Sequence, residues 1–125
     1  EQSCLKTEKD VETRGIKTYF CSNVCAAYDH RIYNEIGGFP EHAIFNEDMI
    51  YAGWMVKKGY AVAYAAEAKV YHSHNYSCSQ QFHRNFDLGV SQAEHPEIFE
   101  KLEKHRKKLE ERLEHQRKHL DKSDS

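Results

Sequence analysis

The chain has 125 residues, a length typical of one domain, and a formal net charge of −2. A charge so close to zero gives no general attraction to nucleic acid, so we expect no nucleic-acid partner. Its apolar runs fall well short of the ~20 residues of a membrane-spanning helix, and its first residues lack the pattern of a signal peptide.

Charge is unevenly distributed along the sequence. Residues 94–125 contain nine of the 18 Lys and Arg residues and nine of the 20 Asp and Glu residues. Residues 1–93 contain all eight tyrosines, the single tryptophan and five of the six phenylalanines, enough aromatic surface for a core. We therefore expect a globular part over 1–93, followed by an amphipathic charged helix over 94–125 with a frayed end.

The four cysteines are few and irregularly spaced, which does not suit a fold built on disulfides. Cys21 and Cys25 are four positions apart, and no second pair follows at the spacing of a zinc site. We expect Cys4, Cys21, Cys25 and Cys78 to be free, largely buried thiols in a reducing compartment.

The first third of the chain predicts two short helices separated by a strand. The polar stretch 8–13 suits a short surface helix, and the β-branched and aromatic run 16–21 is typical of a strand. Asp29 is a good N-cap for a second helix that extends to Ile36. Gly37 and the glycine after it stop that helix, as a left-handed cap followed by a turn does.

The middle of the chain predicts a third helix followed by two strands. Asn46 can cap this helix, whose first turn carries Glu47 and Asp48, where acids suit the helix dipole. Gly59 ends the helix. The runs 60–64 and 68–71 are then typical of short strands, and the second leads into the histidines that follow.

Two helices are predicted in the remainder. In the first, over 79–91, three apolar residues fall on one face at four-residue steps: Phe82, Phe86 and Val90. The last helix starts at Pro96, and its apolar residues form a narrow heptad stripe. One row of that stripe contains Phe99, Leu113 and Leu120, interrupted by Arg106, and the other contains Leu102 and Leu109, followed by Gln116.

Adjacent carboxylates at a helix start are the first candidate for chemistry. Glu47 and Asp48 could provide a general base or bind a cation if they lie beside a cleft. The alternative is that they are ordinary acidic residues of a first helical turn, which is the more common case.

His72 and His74 are the second candidate, because alternation along a strand puts both imidazoles on one face. They could bind a divalent metal, or one of them could contact a phosphate. The alternative is one packed histidine and one solvated histidine, since His-x-His is a weak pattern compared with a closed set of ligands.

Polar and aromatic residues give the remaining candidates. Ser22 and Asn23, with Arg31, follow a predicted strand, where they could line a cleft. The alternative is that Ser22 and Asn23 only stabilise a turn, which is a common role of serine and asparagine. Sugars stack on aromatic faces, and Trp54 is a candidate for such a contact. The alternative is that most of the aromatic residues are core contacts.

Taken together, three segments resemble the C-terminal part of a bacterial glycosyltransferase of family 2, in its rhamnosyltransferase-like branch. The segments read YFCSNVCAAYDHRIYNEIGGFPE, FNEDMIYAGWMVKKGYAVAYAAEAKVYHSHNYS and QQFHRNFDLGVSQAEHPEIF. Their order and spacing cover roughly residues 5–99. The resemblance implies an α/β fold, namely the C-terminal half of a GT-A-like domain with a long charged helix after it.

The resemblance also implies roles for individual residues of an inverting enzyme. Asp48, with Glu47 beside it, matches the general base that deprotonates the acceptor hydroxyl. His72 is the better match, and His74 the second, for the histidine that helps bind a divalent metal, Mg or Mn, on the nucleotide diphosphate. The match at Ser22, Asn23 and Arg31 implies positions that line the cleft. Together with the aromatic candidate Trp54, they are the predicted substrate-binding residues.

Such an enzyme would transfer a sugar, for example rhamnose, from a nucleotide sugar to a glycan or lipid-linked acceptor. These 125 residues contain no Asp-x-Asp motif after an apolar strand, the motif that provides the family's main metal ligand in its N-terminal half. We therefore expect this chain alone neither to bind donor or metal tightly nor to catalyse transfer.

The remaining expectations concern partners and location. Without the missing half, an apolar strand edge needs a cover, so we expect self-association, pairing with that half, or coverage by the last helix. The alternative function is a non-catalytic interaction or oligomerisation module derived from the same fold. The expected location is the cytoplasm, with a peripheral position on the inner face of the membrane as a variant.

Overall fold

The computed structural model describes residues 2–123, and beyond residue 100 it describes the side chains of 104, 106–108, 110–115 and 117. Helices dominate this part of the chain, and two short strands form one small sheet. The strands are β1 (Cys4–Lys6) and β2 (Val62–Tyr64). The α-helices are α1 (Val11–Arg14), α2 (His30–Ile36), α3 (Glu47–Lys57), α4 (Cys78–Glu94) and α5 (Pro96–Ser123).

The predicted helix at 8–13 is confirmed as a 3-10 turn, Glu8–Asp10, that continues into α1. The Thr7 backbone N–H donates to Asp10 Oδ2 at 2.8 Å, which closes a capping box at its start. The Thr7 hydroxyl donates to the same oxygen at 3.0 Å, and the two hydrogen bonds together lower the pKa of the Asp10 carboxyl. The turn is thus stabilised locally, as its sequence indicates.

The predicted strand at 16–21 is wrong, because a second 3-10 helix, Gly15–Thr18, occupies its first half. Thr18 and Tyr19 are adjacent in sequence and both are fully buried, with 0% and 1% exposure. A strand would point these neighbours to opposite faces, whereas a helical turn lets both enter the core. Burial of Tyr19 also raises the pKa of its phenol to about 12.

The sheet joins the start of the chain to its middle. β1 and β2 are antiparallel, and Leu5 lies opposite Ala63. The predicted strand at 60–64 is therefore confirmed over its last three residues. The predicted strand at 68–71 is wrong, since Val70 and Tyr71 are exposed and no described strand lies beside them.

Helix α2 follows the prediction made from its capping residues. The Asp29 side chain accepts hydrogen bonds from the backbone N–H groups of Arg31 and Ile32, at 2.9 and 3.4 Å. Gly37 ends the helix in the left-handed region, with φ of 96°. Because glycine has no Cβ, it adopts this conformation without strain.

Helix α3 forms the centre of the core. Six of its 11 residues are buried, so most of its circumference faces protein. The core cluster also draws on α1, the Tyr19 turn and α5, and its members are Val11, Tyr19, Met49, Ile50, Ala52, Val56, Val62, Ile98 and Phe99. The N-terminus of α3, with Glu47 and Asp48, is thereby held in one place on the surface.

Helices α4 and α5 differ from the expectation in how they present apolar residues. Phe82 and Phe86 lie on an exposed side of α4, with 67% and 63% of their surfaces accessible, so the predicted apolar face is not packed. Ser91 is the α4 residue that is buried instead, and its hydroxyl donates a hydrogen bond to the Phe45 carbonyl.

Among the side chains of α5 that the structure describes, those that enter the core belong to its first turn. Phe99 of the predicted heptad stripe is buried there, whereas Leu113 is exposed. The side chains of Leu102, Leu109 and Leu120 lie outside those that the structure describes. Within residues 2–123, no helix combines the length and apolar character needed to cross a bilayer.

All four cysteines are free, as predicted. The expectation that they are largely buried is wrong, because Cys25 and Cys78 are exposed and Cys4 and Cys21 are half-buried. Cys25 follows a turn and Cys78 begins α4, and both positions face solvent.

Two glycines inside helices provide a test of the packing between α3 and α5. A Cβ on Gly53 would lie 2.7 Å from Cδ1 and 2.9 Å from Cγ2 of the buried Ile98, whereas a Cβ on Gly89 of α4 would meet no atom within 4 Å. We expect Gly53→Ala to lower the free energy of unfolding by about 1–3 kcal/mol through overpacking. Gly89→Ala should raise it by up to about 1 kcal/mol, the gain in helix propensity. Urea unfolding of both variants checks this, and equal effects would contradict the close packing.

Candidate active-site cleft

A cleft of about 480 Å³ opens at the N-terminus of α3. Three parts of the chain that are distant in sequence form its walls: the turn 20–24, the start of α3 at 45–49, and the region from His72 to Arg84. Six of the eight candidate residues from the sequence lie there, namely Ser22, Asn23, Glu47, Asp48, His72 and His74. The cleft is therefore the part of the described chain where candidate chemistry is concentrated.

Asn23 connects the two acidic residues. Its backbone N–H donates to Asp48 Oδ2 at 3.1 Å, and its side-chain amide donates to Glu47 Oε1 at 3.1 Å. The other oxygen of Asp48 accepts from the Met49 backbone N–H at 2.8 Å. Both carboxylates are half-buried. A single residue thus fixes two adjacent acids in the cleft.

Tyr28 orients Asn23 in turn. Its hydroxyl donates to Asn23 Oδ1 at 2.6 Å, so the amide nitrogen of Asn23 faces Glu47. The Tyr28 ring packs edge-on against Phe39 and Tyr51, with centroids 5.3 and 5.4 Å away. Burial, reinforced by the contact with the Cys21 thiol, raises the Tyr28 pKa, so its hydroxyl remains a donor over the physiological pH range.

The residue before the acids is conformationally strained. Asn46 has φ of 62° and ψ of 26°, a left-handed conformation that non-glycine residues adopt rarely. The expectation that its side chain caps α3 is wrong, because that side chain makes no cap hydrogen bond. Asn46 is buried, and its Nδ2 has no hydrogen-bond partner among the described residues. Strain of this kind tends to be found at functional sites.

The histidines form a contacting pair rather than a row on a strand. Their Nε2 atoms hydrogen-bond each other, and the two ring planes are nearly perpendicular, with centroids 4.1 Å apart. His74 also stacks on Tyr76, with centroids 4.7 Å apart. Partial desolvation lowers the His74 pKa, and the charges of His72 and Arg84 lower it further.

Arg84 is a cleft residue that the sequence alone did not single out. Its guanidinium carbon lies 4.7 Å from the Phe45 ring centroid and 4.6 Å from the Tyr76 ring centroid. Both distances are in the range of cation–π contacts. Arg84 is half-buried on α4 and lines the cleft with the histidines.

The described residues could supply some of the ligands of a metal site, but they do not form a complete site. Among the side chains that the structure describes, no group of three or more His, Cys, Asp or Glu residues is arranged to hold a metal ion. The Nε2 atoms of His72 and His74 lie next to each other, so this pair could offer a metal two imidazole ligands and no more. A protein site for a divalent metal needs further ligands.

Two candidate residues lie outside the cleft. The Arg31 side chain is exposed and pairs with Asp29 at 3.1 Å, two residues earlier in the chain. Trp54 packs against the core, and its indole N–H donates to Glu97 Oε1 of α5 at 3.4 Å. The structure gives these two residues local and packing contacts away from the cleft, and their role in substrate binding stays a prediction.

Comparison with known proteins gives two matches of similar strength. A segment of 97 residues, 78% of this chain, is 48% identical to the O-antigen chain rhamnosyltransferase WbaN of Salmonella anatum. A 97-residue segment is likewise 50% identical to the O-antigen chain rhamnosyltransferase RfbN of Salmonella typhimurium. Each match takes in 31% of the relative, so the chain spans about a third of the length of these proteins.

The matches confirm the rhamnosyltransferase-like resemblance for this segment. No family model matches the chain, and no solved structure matches it significantly. Membership in glycosyltransferase family 2 and the GT-A-like fold therefore stay predictions.

The histidine pair gives a pH-dependent prediction. His74 should titrate below its ordinary pKa of 6.5, because desolvation and two nearby cationic groups disfavour its protonated form. In Arg84→Gln the midpoint should move upward, since one positive charge is removed, and Arg112→Gln on α5 should leave it unchanged. NMR titration of the imidazole signals measures these midpoints.

The lowered pKa of His74 couples the stability of the fold to pH. A histidine whose pKa is lowered in the folded state binds its proton more readily in the unfolded chain. The contribution of His74 to the free energy of unfolding is therefore fully present above pH 6.5 and is lost as the pH falls below that value. A His74 midpoint at or above 6.5 would contradict the described surroundings of this ring.

Proposed function

We propose that this chain is the acceptor-side, catalytic-base portion of an inverting glycosyltransferase. The reaction would move a deoxyhexose such as rhamnose from a nucleotide sugar to a glycan or lipid-linked acceptor. The observation that carries the proposal is the acidic pair Glu47–Asp48, held by Asn23 in a cleft, within a chain similar to two rhamnosyltransferases. The whole reaction would need the remaining two-thirds of such a protein.

Asp48 would act as the general base. Each of its carboxylate oxygens accepts one backbone hydrogen bond, and a carboxylate oxygen has a second lone pair available. One oxygen would take the proton of the acceptor hydroxyl while that hydroxyl oxygen attacks the anomeric carbon. The bond from the anomeric carbon to the diphosphate oxygen would break on the opposite side, with inversion. General-base catalysis of this kind contributes about 10²–10⁴-fold to the rate.

Glu47 and Asn23 would support that step by position. The Asn23 amide holds the Glu47 carboxylate at 3.1 Å, next to Asp48 on the same helical turn. Because the Asn23 backbone N–H also fixes Asp48, the base is oriented before the acceptor arrives. Such preorganisation keeps the reacting atoms in a productive geometry.

His72, with His74 as the second choice, would supply an imidazole to a divalent metal, Mg or Mn. When bound, this metal would offset negative charge on the leaving diphosphate. The described residues give at most two such ligands, so the others would come from the diphosphate and from the rest of the enzyme. The expected location, in the cytoplasm or at the inner face of the membrane, belongs to the same proposal.

A chimeric enzyme tests the proposal. We expect the Salmonella anatum rhamnosyltransferase to retain rhamnosyl transfer when its matching segment is replaced by the corresponding residues of this chain. In that chimera, Asp48→Asn should lower kcat by at least ~100-fold, the loss expected for a general base, with little change in the KM for donor. Transfer of radiolabelled rhamnose to acceptor is the measurement.

Asp87→Asn is the matched control, because Asp87 lies on α4 and does not line the cleft. It should leave kcat unchanged. Unaltered turnover in Asp48→Asn would exclude Asp48 as the base. A folded chimera without any transfer would count against a glycosyltransferase role for the chain as a whole.

A second candidate is an interaction module without chemistry. The exposed phenylalanines of α4 and the exposed Leu113 of α5 favour it, since apolar side chains at a surface often mark contacts with another protein. The occupant would be a second copy of this chain or the remaining two-thirds of the enzyme.

Light scattering after gel filtration tests this second candidate. We expect an assembly larger than a monomer, and we expect the double variant Phe82→Gln/Phe86→Gln to dissociate it, because it removes the exposed apolar rings of α4. Leu113→Gln tests in the same way whether the apolar stripe on α5 takes part in the assembly. A chain that stays monomeric up to high micromolar concentration would rule out self-association.

A further inference from the structure

The arginine of the cleft is the residue that the base mechanism leaves unused. The guanidinium carbon of Arg84 lies 4.7 Å from the ring centroid of Phe45, just before α3, and 4.6 Å from that of Tyr76, just before α4. A guanidinium that contacts aromatic rings through its face keeps the N–H donors at its edge for another partner. The side chain is half-buried beside these rings.

No protein partner of Arg84 explains its charge. Three other arginines have a carboxylate beside them: Arg14 pairs with Asp10, Arg31 with Asp29 and Arg106 with Glu110. For Arg84, no carboxylate of the described residues lies within ion-pair distance, and its guanidinium contacts the two rings. A cation that is packed but unpaired in a cleft is suited to an anionic ligand.

The surroundings indicate which anion fits. The two histidines line the same cleft, and the Tyr76 ring contacts both His74 and Arg84, so the guanidinium and the imidazoles form one cluster of N–H donors. Glu47 and Asp48 are the acids that face this cleft, and Asn23 already hydrogen-bonds both. One guanidinium would satisfy a carboxylate, whereas a guanidinium with two adjacent imidazoles suits a group with several negative oxygens.

We propose that Arg84 is an anion-binding residue, and that the edge of its guanidinium receives two oxygens of a diphosphate group. The pairing is bidentate, the geometry that arginine favours with phosphate. This inference deepens the proposed function and rests on it only for the source of the diphosphate, a nucleoside diphosphate or a lipid-linked one. The binding itself requires no sugar transfer.

Calorimetric titration of the full chain with sodium pyrophosphate is the test, carried out with EDTA at low ionic strength so that no metal takes part. We expect Arg84→Gln to weaken pyrophosphate binding about tenfold or more, since it removes a charge-assisted pair. Arg84→Lys keeps the charge without the planar fork and should lie between the two. Arg112→Gln, the same change at an exposed position on α5, should bind like the unchanged chain.

The outcomes separate cleanly. If the unchanged chain does not bind pyrophosphate at 10 mM (roughly the weakest affinity such titrations resolve), or if Arg84→Gln binds as tightly, the inference is overturned. Circular dichroism shows whether Arg84→Gln is folded, and Arg84→Lys provides the comparison if it is not. Uridine diphosphate and farnesyl diphosphate then distinguish a nucleotide source from an isoprenoid source, by which of them competes with pyrophosphate.

Failure of this inference differs from failure of the proposed function. Pyrophosphate binding through Arg84 beside an inactive chimera would leave the anion site intact and remove the transferase role. An active chimera whose segment does not bind pyrophosphate would support the transferase role and remove the anion site at Arg84.

Discussion

The burial of α3 is the constraint on which the rest of the structure depends. With six of its 11 residues inside the protein, this helix can neither slide nor rotate without exposing core side chains. Its close approach to α5 at Gly53 fixes the same position from the other side. The two acids at its N-terminus therefore inherit a definite place from the core, although they lie at the surface themselves.

Around this fixed helix, the cleft is assembled by contacts between distant parts of the chain. Asn23 reaches Glu47 and Asp48 across 24 and 25 positions of sequence, and Tyr28 holds Asn23 from the edge of an aromatic cluster. The loop 20–29 has little regular structure of its own. Its hydrogen bonds to the end of α3 and its packing on Tyr51 replace the order that a strand or helix would provide.

Features with local causes were predictable from the sequence, and features with distant causes were not. The helix capped by Asp29 and ended by Gly37 was correct because both signals act within a few residues. The strands at 16–21 and 68–71 were wrong because a strand requires a partner, which composition does not reveal. The Asn46 cap failed for a related reason, since the buried position of that residue, and not its capping propensity, determines its conformation.

The same division applies to the cleft. Glu47, Asp48, His72 and His74 were identified by residue type and spacing, and the structure brings them together. Arg31 lies outside the cleft and pairs with Asp29, only two residues away, so its role in substrate binding stays a prediction. Arg84 was missed because it became a candidate only when the fold placed two rings, 39 and eight positions earlier in the sequence, against its guanidinium.

The separation of charge within the cleft has a chemical consequence. The proposed transfer of a sugar from a diphosphate would need a base beside a neutral hydroxyl and a cationic group beside an anionic leaving group. If acids and cations were interleaved they would neutralise one another, and neither task would be served. Here the acids belong to the start of α3 and are tied to Asn23, whereas the arginine is tied to aromatic rings, which hold a cation without cancelling its charge. Aromatic packing is thus the means by which the cleft keeps a free positive group close to two carboxylates.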